Sequence, residues 1–239
     1  MTPKIQVVCS DQARNGKTLV TRLLADYLAL VGRELTVFDA EFPHSGVRMF
    51  LPERTRLVDV SKIGGQMTMI DSILGTPPHD YIIDLPARLL ADTFHLFDQI
   101  DFAGEARRQG FFVLVYYIVD RPFASLRMAR QIYNGGQMDR FVPVRNESVG
   151  HVSDHCNVVN LYGELTQYGE IELPILERGI VQFMEQRGFS FCSFLLNRYT
   201  HVPQPLRAPL RAFLNDVFAQ IRAIHGLAEA QGLRRMGLV

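Results

Sequence analysis

The stretch IQVVCSDQARNGKTLVTRLLADYLALVGRELTVFDA, residues 5–40, decides the fold. It begins with a short apolar run (5–9), passes through a polar loop, and then shows apolar residues at three- and four-residue steps up to residue 31. That spacing predicts an amphipathic helix, and Gly32 is suited to the left-handed position that ends one. A second apolar run follows at 35–40. The order strand, loop, helix, strand predicts a right-handed βαβ unit, which builds parallel sheets.

The same alternation continues beyond this unit. We expect further strands at 56–60, 81–84, 111–119 and 141–145, and helices at 66–74, 89–108 and 122–133. Near-continuous apolar strands separated by amphipathic helices are typical of a sheet covered on both faces. The pattern therefore predicts a doubly wound α/β fold with a mostly parallel sheet.

The pattern weakens after residue 150. Residues 151–172 have no clear period, whereas 175–188 and 206–226 predict helices. No repeat or obvious linker divides the chain, so we expect a single domain over residues 1–239. Its expected parts are a core at 4–150 and a helical C-terminal part at about 175–239.

The composition is that of a globular protein without a strong overall charge. Hydrophobic residues make up 47% and charged residues 21%, and the formal net charge is zero. This excludes a disordered chain and any whole-molecule attraction to nucleic acid or anionic membranes. The cysteines, Cys9, Cys156 and Cys192, are odd in number and widely spaced, which favours a reducing compartment. There is no signal-peptide pattern and no apolar run of about 18 residues, so we expect a cytoplasmic protein without a membrane span.

The polar loop at 11–18, DQARNGKT, lies between a strand and a helix, where a phosphate-binding loop belongs. Backbone N–H groups of such a loop and the positive end of its helix converge on phosphate oxygens. We expect Asn15 and Gly16 to contribute to this site, Lys17 to neutralise the β- and γ-phosphates, and Thr18 to bind Mg²⁺. The usual pattern begins with Gly, not with Asp. The alternative is a chance GKT that only opens a helix, but the flanking strand and helix favour phosphate binding.

Two acidic residues end apolar strands, and ligands of open α/β sheets lie at strand carboxyl ends. Asp84, in YIIDLP, is expected to hold Mg²⁺ through a bound water. Asp39, in VFDAEF, is a candidate catalytic residue with Lys17, because it could orient the attacking water or contact the metal shell. The alternative for both carboxylates is an ordinary helix cap or turn.

The three segments QARNGKT, VFDAEF and HDYIIDLP together resemble the ParA/MinD-type ATPases, the deviant Walker A class that includes plasmid-partition, division-site and conjugal-transfer ATPases. The element order extends the resemblance over about residues 4–150. The resemblance implies binding of ATP or ADP with Mg²⁺ and a nucleotide-dependent homodimer. It also implies a switch whose partner is a protein of a DNA partition or transfer system.

The loop departs from the family pattern, Lys-Gly-Gly-x-Gly-Lys-Thr, at three positions. In the family, the first lysine reaches the nucleotide of the other subunit, but here Gln12 stands at that position. Ala13 and Arg14 replace the two glycines. Because Gln12 brings no charge to the developing phosphate charge, we expect slow or partner-stimulated hydrolysis. Arg14 is either an arginine finger or a solvated loop residue.

The resemblance also suggests two roles outside the loop. Glu41 stands at the second carboxylate of the family's Asp-x-Asp pattern, without its usual continuation. Asn146, in FVPVRNE, is placed where the family has an Asn that reads adenine. The Arg-Asn-Glu sequence at this position is most similar to the conjugal-transfer and mobilisation subgroup. An Asn after a strand is also ordinary turn chemistry.

Two further groups of residues invite a functional interpretation. Arg207, Arg211 and Arg222 share one helix face and could contact DNA phosphates weakly, although a solvated helix face is the more common explanation. His151, His155 and Cys156 suggest a metal site but lack a further ligand set. Cys9 is better explained as a core residue than as a nucleophile.

Three functions remain open from the sequence. The first is a ParA-like ATP-dependent switch. The second is a degenerate nucleotide-binding scaffold without hydrolysis, and the third is a small-molecule ATP-dependent ligase or phosphotransferase of the same fold.

Overall fold

The computed structural model describes residues 2–75, 77–120, 123–150, 156–199 and 201–235. The strands are β1 (Lys4–Cys9), β2 (Leu35–Asp39), β3 (Thr55–Leu57), β4 (Asp80–Asp84), β5 (Phe112–Val119), β6 (Arg140–Asn146) and β7 (Ile171–Leu173). The helices are α1 (Lys17–Leu30), α2 (Ile63–Leu74), α3 (Leu90–Gln99), α4 (Phe102–Arg108), α5 (Phe123–Gly135), α6 (Cys156–Thr166), α7 (Arg178–Met184), α8 (Phe191–Leu195) and α9 (Gln204–Arg235). Short 3₁₀ turns occupy Pro52–Arg54 and Ala87–Leu89.

The seven strands form one sheet in the order β3-β2-β4-β1-β5-β6-β7, and every pairing is parallel. Strand β1 lies in the middle, with β4 on one side and β5 on the other. In the register of β2 and β4, Asp39 is opposite Asp84. Both predicted carboxylates therefore end their strands side by side at the same edge of the sheet.

The core lies on both faces of the sheet. All eight residues of β5 are buried, and successive side chains point to opposite faces. Leu114 and Tyr116 belong to the cluster that contains residues of α1, α7, α8 and α9, whereas Val113 and Val115 belong to the cluster on the other face. The expected doubly wound α/β fold is confirmed, with a fully parallel sheet.

Several expected elements have different bounds. The helix expected at 89–108 is two helices, because Asp101 adopts a left-handed φ of 48° between α3 and α4. The strand expected at 56–60 is the three-residue β3. The helix expected at 175–188 is only the seven-residue α7, and Gly188, with φ of 74°, lies beyond its end.

The region without a clear period contains regular structure. Helix α6 and strand β7 both lie within 151–172, and β7 extends the sheet beyond β6. His151 and His155, two of the residues of the metal hypothesis, lie outside the described residues. Among the described residues, no group of three potential metal ligands from His, Cys, Asp and Glu comes together. No helix among the described residues is long and apolar enough to span a membrane. The single domain over 1–239 stays a prediction.

Candidate functional site

The loop between β1 and α1 lies at the carboxyl edge of the sheet, and α1 begins at Lys17. Gly16 precedes it with φ of 104°, and no side chain of the described residues caps this helix end. The first N–H groups of α1 are therefore free for an anion. A Cβ at Gly16 would lie 2.7 Å from Asn146 Nδ2, so this position requires glycine both for its backbone and for space.

Side chains inside the loop hold its shape. Ser10 Oγ donates to the carbonyl of Ile118 at 2.8 Å and accepts the Gln12 N–H at 3.2 Å. Asn15 is 1% exposed and donates its amide to the same Ser10 hydroxyl. The Asn15 side chain thus supports the loop from behind, which leaves its backbone as its possible contact with phosphate.

Asp11, at the position where the usual pattern has Gly, ties the loop to the sheet. Its Oδ1 accepts hydrogen bonds from Tyr117 Oη at 2.7 Å and from Ser125 Oγ at 2.6 Å. Burial alone would raise the pKa of Asp11, but the hydrogen bonds from Ser125, Gln12 and Tyr117 hold it below its usual value. The substitution that makes the motif incomplete is therefore a structural anchor. No motif in the sequence indicates that its partners, Tyr117 on β5 and Ser125 on α5, contact this loop.

Lys17 folds back over the loop. Its Nζ donates to the Gln12 carbonyl at 2.7 Å and to Asn15 Oδ1 at 3.4 Å. Burial lowers the pKa of Lys17, and the charges of Asp84 and Glu41 oppose that effect. Lys17 lines a cavity of about 540 Å³ together with Ala13, Arg14, Gly16, Thr18, Glu41, Pro86, Ala87 and Arg88. The ammonium group is thus placed at the wall of an open cavity where it can exchange its loop carbonyl for a phosphate oxygen.

Thr18 and Asp84 meet beside Lys17. Thr18 Oγ1 donates to Asp84 Oδ2 at 3.3 Å, and Asp84 is 5% exposed. Burial, together with the neighbouring Asp39, raises the pKa of Asp84 to about 7, although the charge of Lys17 opposes the shift. A hydroxyl and a carboxylate are the hard oxygen donors that Mg²⁺ prefers, and a cation here would stabilise the charged form of Asp84. The donor set fits a Mg²⁺ ion.

Asp39 is fully buried and holds the loop that follows β2. Its Oδ1 accepts the Glu41 N–H at 3.1 Å, and its Oδ2 accepts Ser45 Oγ at 2.7 Å and the Val47 N–H at 3.0 Å. The same loop returns to Thr18, because a Cβ on Gly46 would lie 2.9 Å from Thr18 Oγ1. Both oxygens of Asp39 have loop partners in this structure. Its role toward an attacking water stays a prediction.

Glu41 and Arg88 form an ion pair at the mouth of the cavity. Arg88 Nη1 lies 2.6 Å from Glu41 Oε1, and Nη2 donates to the Phe42 carbonyl at 3.1 Å. The side chains are 48% and 49% exposed, for Glu41 and Arg88 respectively. Arg88 was not among the residues predicted from the sequence. Its position four residues after the carboxylate that ends β4 was the available signal, because ligands bind beyond strand carboxyl ends.

Asn146 lies against the loop from the other side. Its Nδ2 donates to the Asn15 carbonyl at 3.0 Å, and its Oδ1 accepts the N–H of Ser148 at 3.2 Å and the Ser148 hydroxyl at 2.7 Å. A second cavity of about 340 Å³ begins here and is lined mostly by apolar side chains such as Phe50 and Leu173, with Arg14, Arg22 and Glu185 also in its wall. The amide supports the phosphate loop, and reading of adenine by Asn146 stays a prediction.

The structure brings Lys17, Thr18, Asp39, Glu41, Asp84 and Asn146 together around one loop, but the helix arginines lie elsewhere. Arg207 Nε donates to the Val202 carbonyl at 2.9 Å and Arg211 Nη2 to Asn197 Oδ1 at 2.8 Å. Arg222 is exposed on the same helix, α9. Cys9 is buried in β1, and burial raises the pKa of its thiol, so it is a core residue.

No protein-family model matches the chain, and no curated protein sequence matches it. Solved structures do. The MinD cell division protein of Aquifex aeolicus has 15% sequence identity and a TM-score of 0.53, over 92% of this chain and 97% of that one. The MinC:MinD complex of the same organism has 15% identity and a TM-score of 0.52, over 92% and 95% of the two chains. A nucleotide-binding protein of Archaeoglobus fulgidus, solved with ADP, has 14% identity and a TM-score of 0.49, over 75% and 84%.

At this level of identity, the two MinD similarities concern architecture. They cover nearly the whole of each chain. The chain has the P-loop NTPase fold seen in MinD.

Proposed function

We propose that this protein is a nucleotide-dependent switch of the ParA/MinD type, which binds ATP or ADP with Mg²⁺ and acts in DNA partition or conjugal transfer. The observation that carries the proposal is the meeting of three features at one cavity. These are the uncapped start of α1, the Lys17 ammonium, and the hydrogen bond from the half-buried Thr18 to the buried Asp84. Together they supply backbone donors, a cation and metal-binding oxygens, which is the set that a Mg-nucleotide requires.

Each residue then has a distinct task. The N–H groups at the start of α1 bind phosphate oxygens. The Lys17 ammonium gives up its hydrogen bond to the Gln12 carbonyl and donates to a phosphate oxygen instead. Thr18 and Asp84, which lie within hydrogen-bond distance of each other, would hold Mg²⁺. A bound Mg²⁺ would supply positive charge that neutralises the phosphates. The apolar cavity beside Asn146 is suited to the nucleoside, since it opens on the other side of the same loop.

Hydrolysis is expected to be slow without a partner. Gln12 brings no charge, and its amide is bonded to Asp11 at 3.0 Å. Both oxygens of Asp39 hold the loop at 41–47. A partner, or a second copy of the chain, would have to release Asp39 or add a cation before the γ-phosphate is attacked efficiently. The same observations favour, as a second candidate, a nucleotide-binding scaffold that does not hydrolyse ATP.

Sedimentation of the purified chain tests the switch. We expect a monomer with Mg·ADP and a dimer with Mg·ATP, with a turnover assay on the same samples separating the switch from the scaffold. Addition of nonspecific DNA tests whether the dimer gains DNA binding, and Arg222→Ala tests whether α9 contributes. A sedimentation coefficient that is identical with ADP, with ATP and without nucleotide would rule out a nucleotide-dependent dimer.

A further inference from the structure

The phosphate cavity is lined by cations from two segments of the chain. The loop before α1 contributes Arg14 and Lys17. The segment after β4 contributes Arg88. Gln12 adds no charge to the loop, so Arg88 is a cation that reaches the same cavity from outside the loop.

Arg88 is held by weak and exchangeable partners. Its guanidinium binds one carboxylate, that of Glu41, and one carbonyl, that of Phe42. Both side chains of the ion pair are about half exposed, and ion pairs of that kind contribute little to stability because water screens them. The pair can therefore open without cost to the rest of the fold.

A terminal phosphate would compete well for this guanidinium. It carries more negative charge than a carboxylate, and its oxygens match the planar fork of arginine for paired hydrogen bonds. Glu41 would be repelled by the same phosphate, since it lines the cavity with Thr18 and Lys17. Its carboxylate is close enough to affect the electrostatics of both Lys17 and Asp84.

We propose that Arg88 recognises the terminal phosphate of a nucleoside triphosphate by exchanging Glu41 for it, so that the Glu41–Arg88 pair distinguishes ATP from ADP. The inference rests on the proposed nucleotide binding and names the residue that reads the third phosphate. The diphosphate lacks the group that Arg88 binds, so the pair stays closed with ADP. Arg88 also supplies, within one chain, a positive charge that Gln12 does not.

Calorimetric titration of the full chain with ATP and with ADP, both with Mg²⁺, tests the exchange. Arg88→Ala is expected to weaken ATP binding by about tenfold or more, the worth of a charge-assisted hydrogen bond, and to leave ADP binding unchanged. Arg88→Lys keeps the positive charge but not the planar fork of the guanidinium. Its affinity for ATP should lie between that of the wild type and that of Arg88→Ala. Glu41→Gln removes the competing carboxylate and should tighten ATP binding relative to ADP.

A second arginine–glutamate pair of the same kind provides the control. Arg108 and Glu105 on α4 lie 2.6 Å apart and are 59% and 47% exposed, but they do not line the cavity. Arg108→Ala and Glu105→Gln should leave both affinities unchanged, and thermal unfolding should show that all variants fold.

The possible failures are distinguishable. If the wild type binds neither nucleotide, the proposed function is wrong and this inference falls with it. If the wild type binds both, and Arg88→Ala weakens ATP and ADP equally or weakens neither, only the exchange is wrong. Weaker ATP binding by Glu41→Gln would also overturn the exchange, because Glu41 would then assist binding instead of competing with it.

Discussion

Asp11 and Gly16 show how single residues shape the phosphate loop in different ways. Asp11 binds Tyr117 and Ser125 and fixes the beginning of the loop to β5 and α5. Gly16 lets the loop end in a left-handed conformation against Asn146. The loop pattern predicted that Gly16 is needed there. The anchoring by Asp11 was not predictable, because it depends on which side chains the parallel register of β1 and β5 brings beside it.

A substitution at Gly16 should therefore damage the loop specifically. Gly16→Ala forces a Cβ into a φ of 104° and to within 2.7 Å of Asn146 Nδ2. We expect a loss of about 1–2 kcal/mol in the free energy of unfolding, measured by urea denaturation, together with weaker ATP binding.

Gly64 provides the control for Gly16. It lies in α2, and a Cβ there would meet nothing within 4 Å. Gly64→Ala should raise stability by up to about 1 kcal/mol because alanine favours the helix. If Gly16→Ala were as stable as the wild type, the left-handed conformation and the contact with Asn146 would both be in doubt.

At the scale of elements, α9 covers one face of the sheet and brings a histidine into its interior. His225 is 6% exposed, and its Nε2 lies 3.0 Å from Gln6 Oε1 on β1 and 3.1 Å from the Tyr116 hydroxyl on β5. Burial lowers its pKa to about 3, and the positive charges of Lys4 and Arg33 add to the effect. The period of α9 predicted its apolar face, but nothing in the sequence indicated that His225 pairs with these strands.

This burial predicts a pH dependence of stability. The pKa of His225 is about 3 in the folded chain and about 6.5 when unfolded, so the unfolded state binds more protons between those values. The contribution is present above pH 6.5 and is lost as the pH falls toward 3. At pH 5 the free energy of unfolding should be about 2 kcal/mol lower than at pH 7, since each pH unit below 6.5 removes about 1.4 kcal/mol.

Urea unfolding at pH 7 and pH 5 measures this contribution. His225→Gln keeps a polar partner for Gln6 and Tyr116 but does not titrate. Between pH 7 and pH 5 its free energy of unfolding should therefore fall by about 2 kcal/mol less than that of the wild type. His95→Gln, at an exposed position of α3, should keep the wild-type pH dependence. Equal losses in the wild type and in His225→Gln would contradict the buried neutral histidine.

The elements after residue 150 show where the sequence pattern was insufficient. Helix α6 and strand β7 were not predicted, and α7 is shorter than expected. Strand β7 has only three residues, so it has too few positions to reveal an alternation. Its place in the sheet follows from pairing with β6, which is a contact between distant parts of the chain.

At the scale of the whole molecule, the strand order places the site. Strands β4 and β5 lie on opposite sides of β1, so the order of the strands reverses at β1. At such a point the connections that follow neighbouring strands run in opposite directions, which opens a crevice beyond the carboxyl end of β1. The phosphate loop, Asp84 and the segment that carries Arg88 meet there. The βαβ pattern predicted the parallel sheet and the place of the loop. It could not give the strand order, which brings Arg88 and Lys17 to the same cavity.

The account depends most directly on Lys17 as the cation of a nucleotide site. Calorimetric titration with ATP in the presence of Mg²⁺ should show binding by the wild type and a loss of affinity of about tenfold or more in Lys17→Ala. Lys62, which is 78% exposed and pairs with Asp59, provides the matched control, and Lys62→Ala should bind ATP as the wild type does. Unchanged ATP binding by Lys17→Ala would contradict the assignment of this loop as the phosphate site.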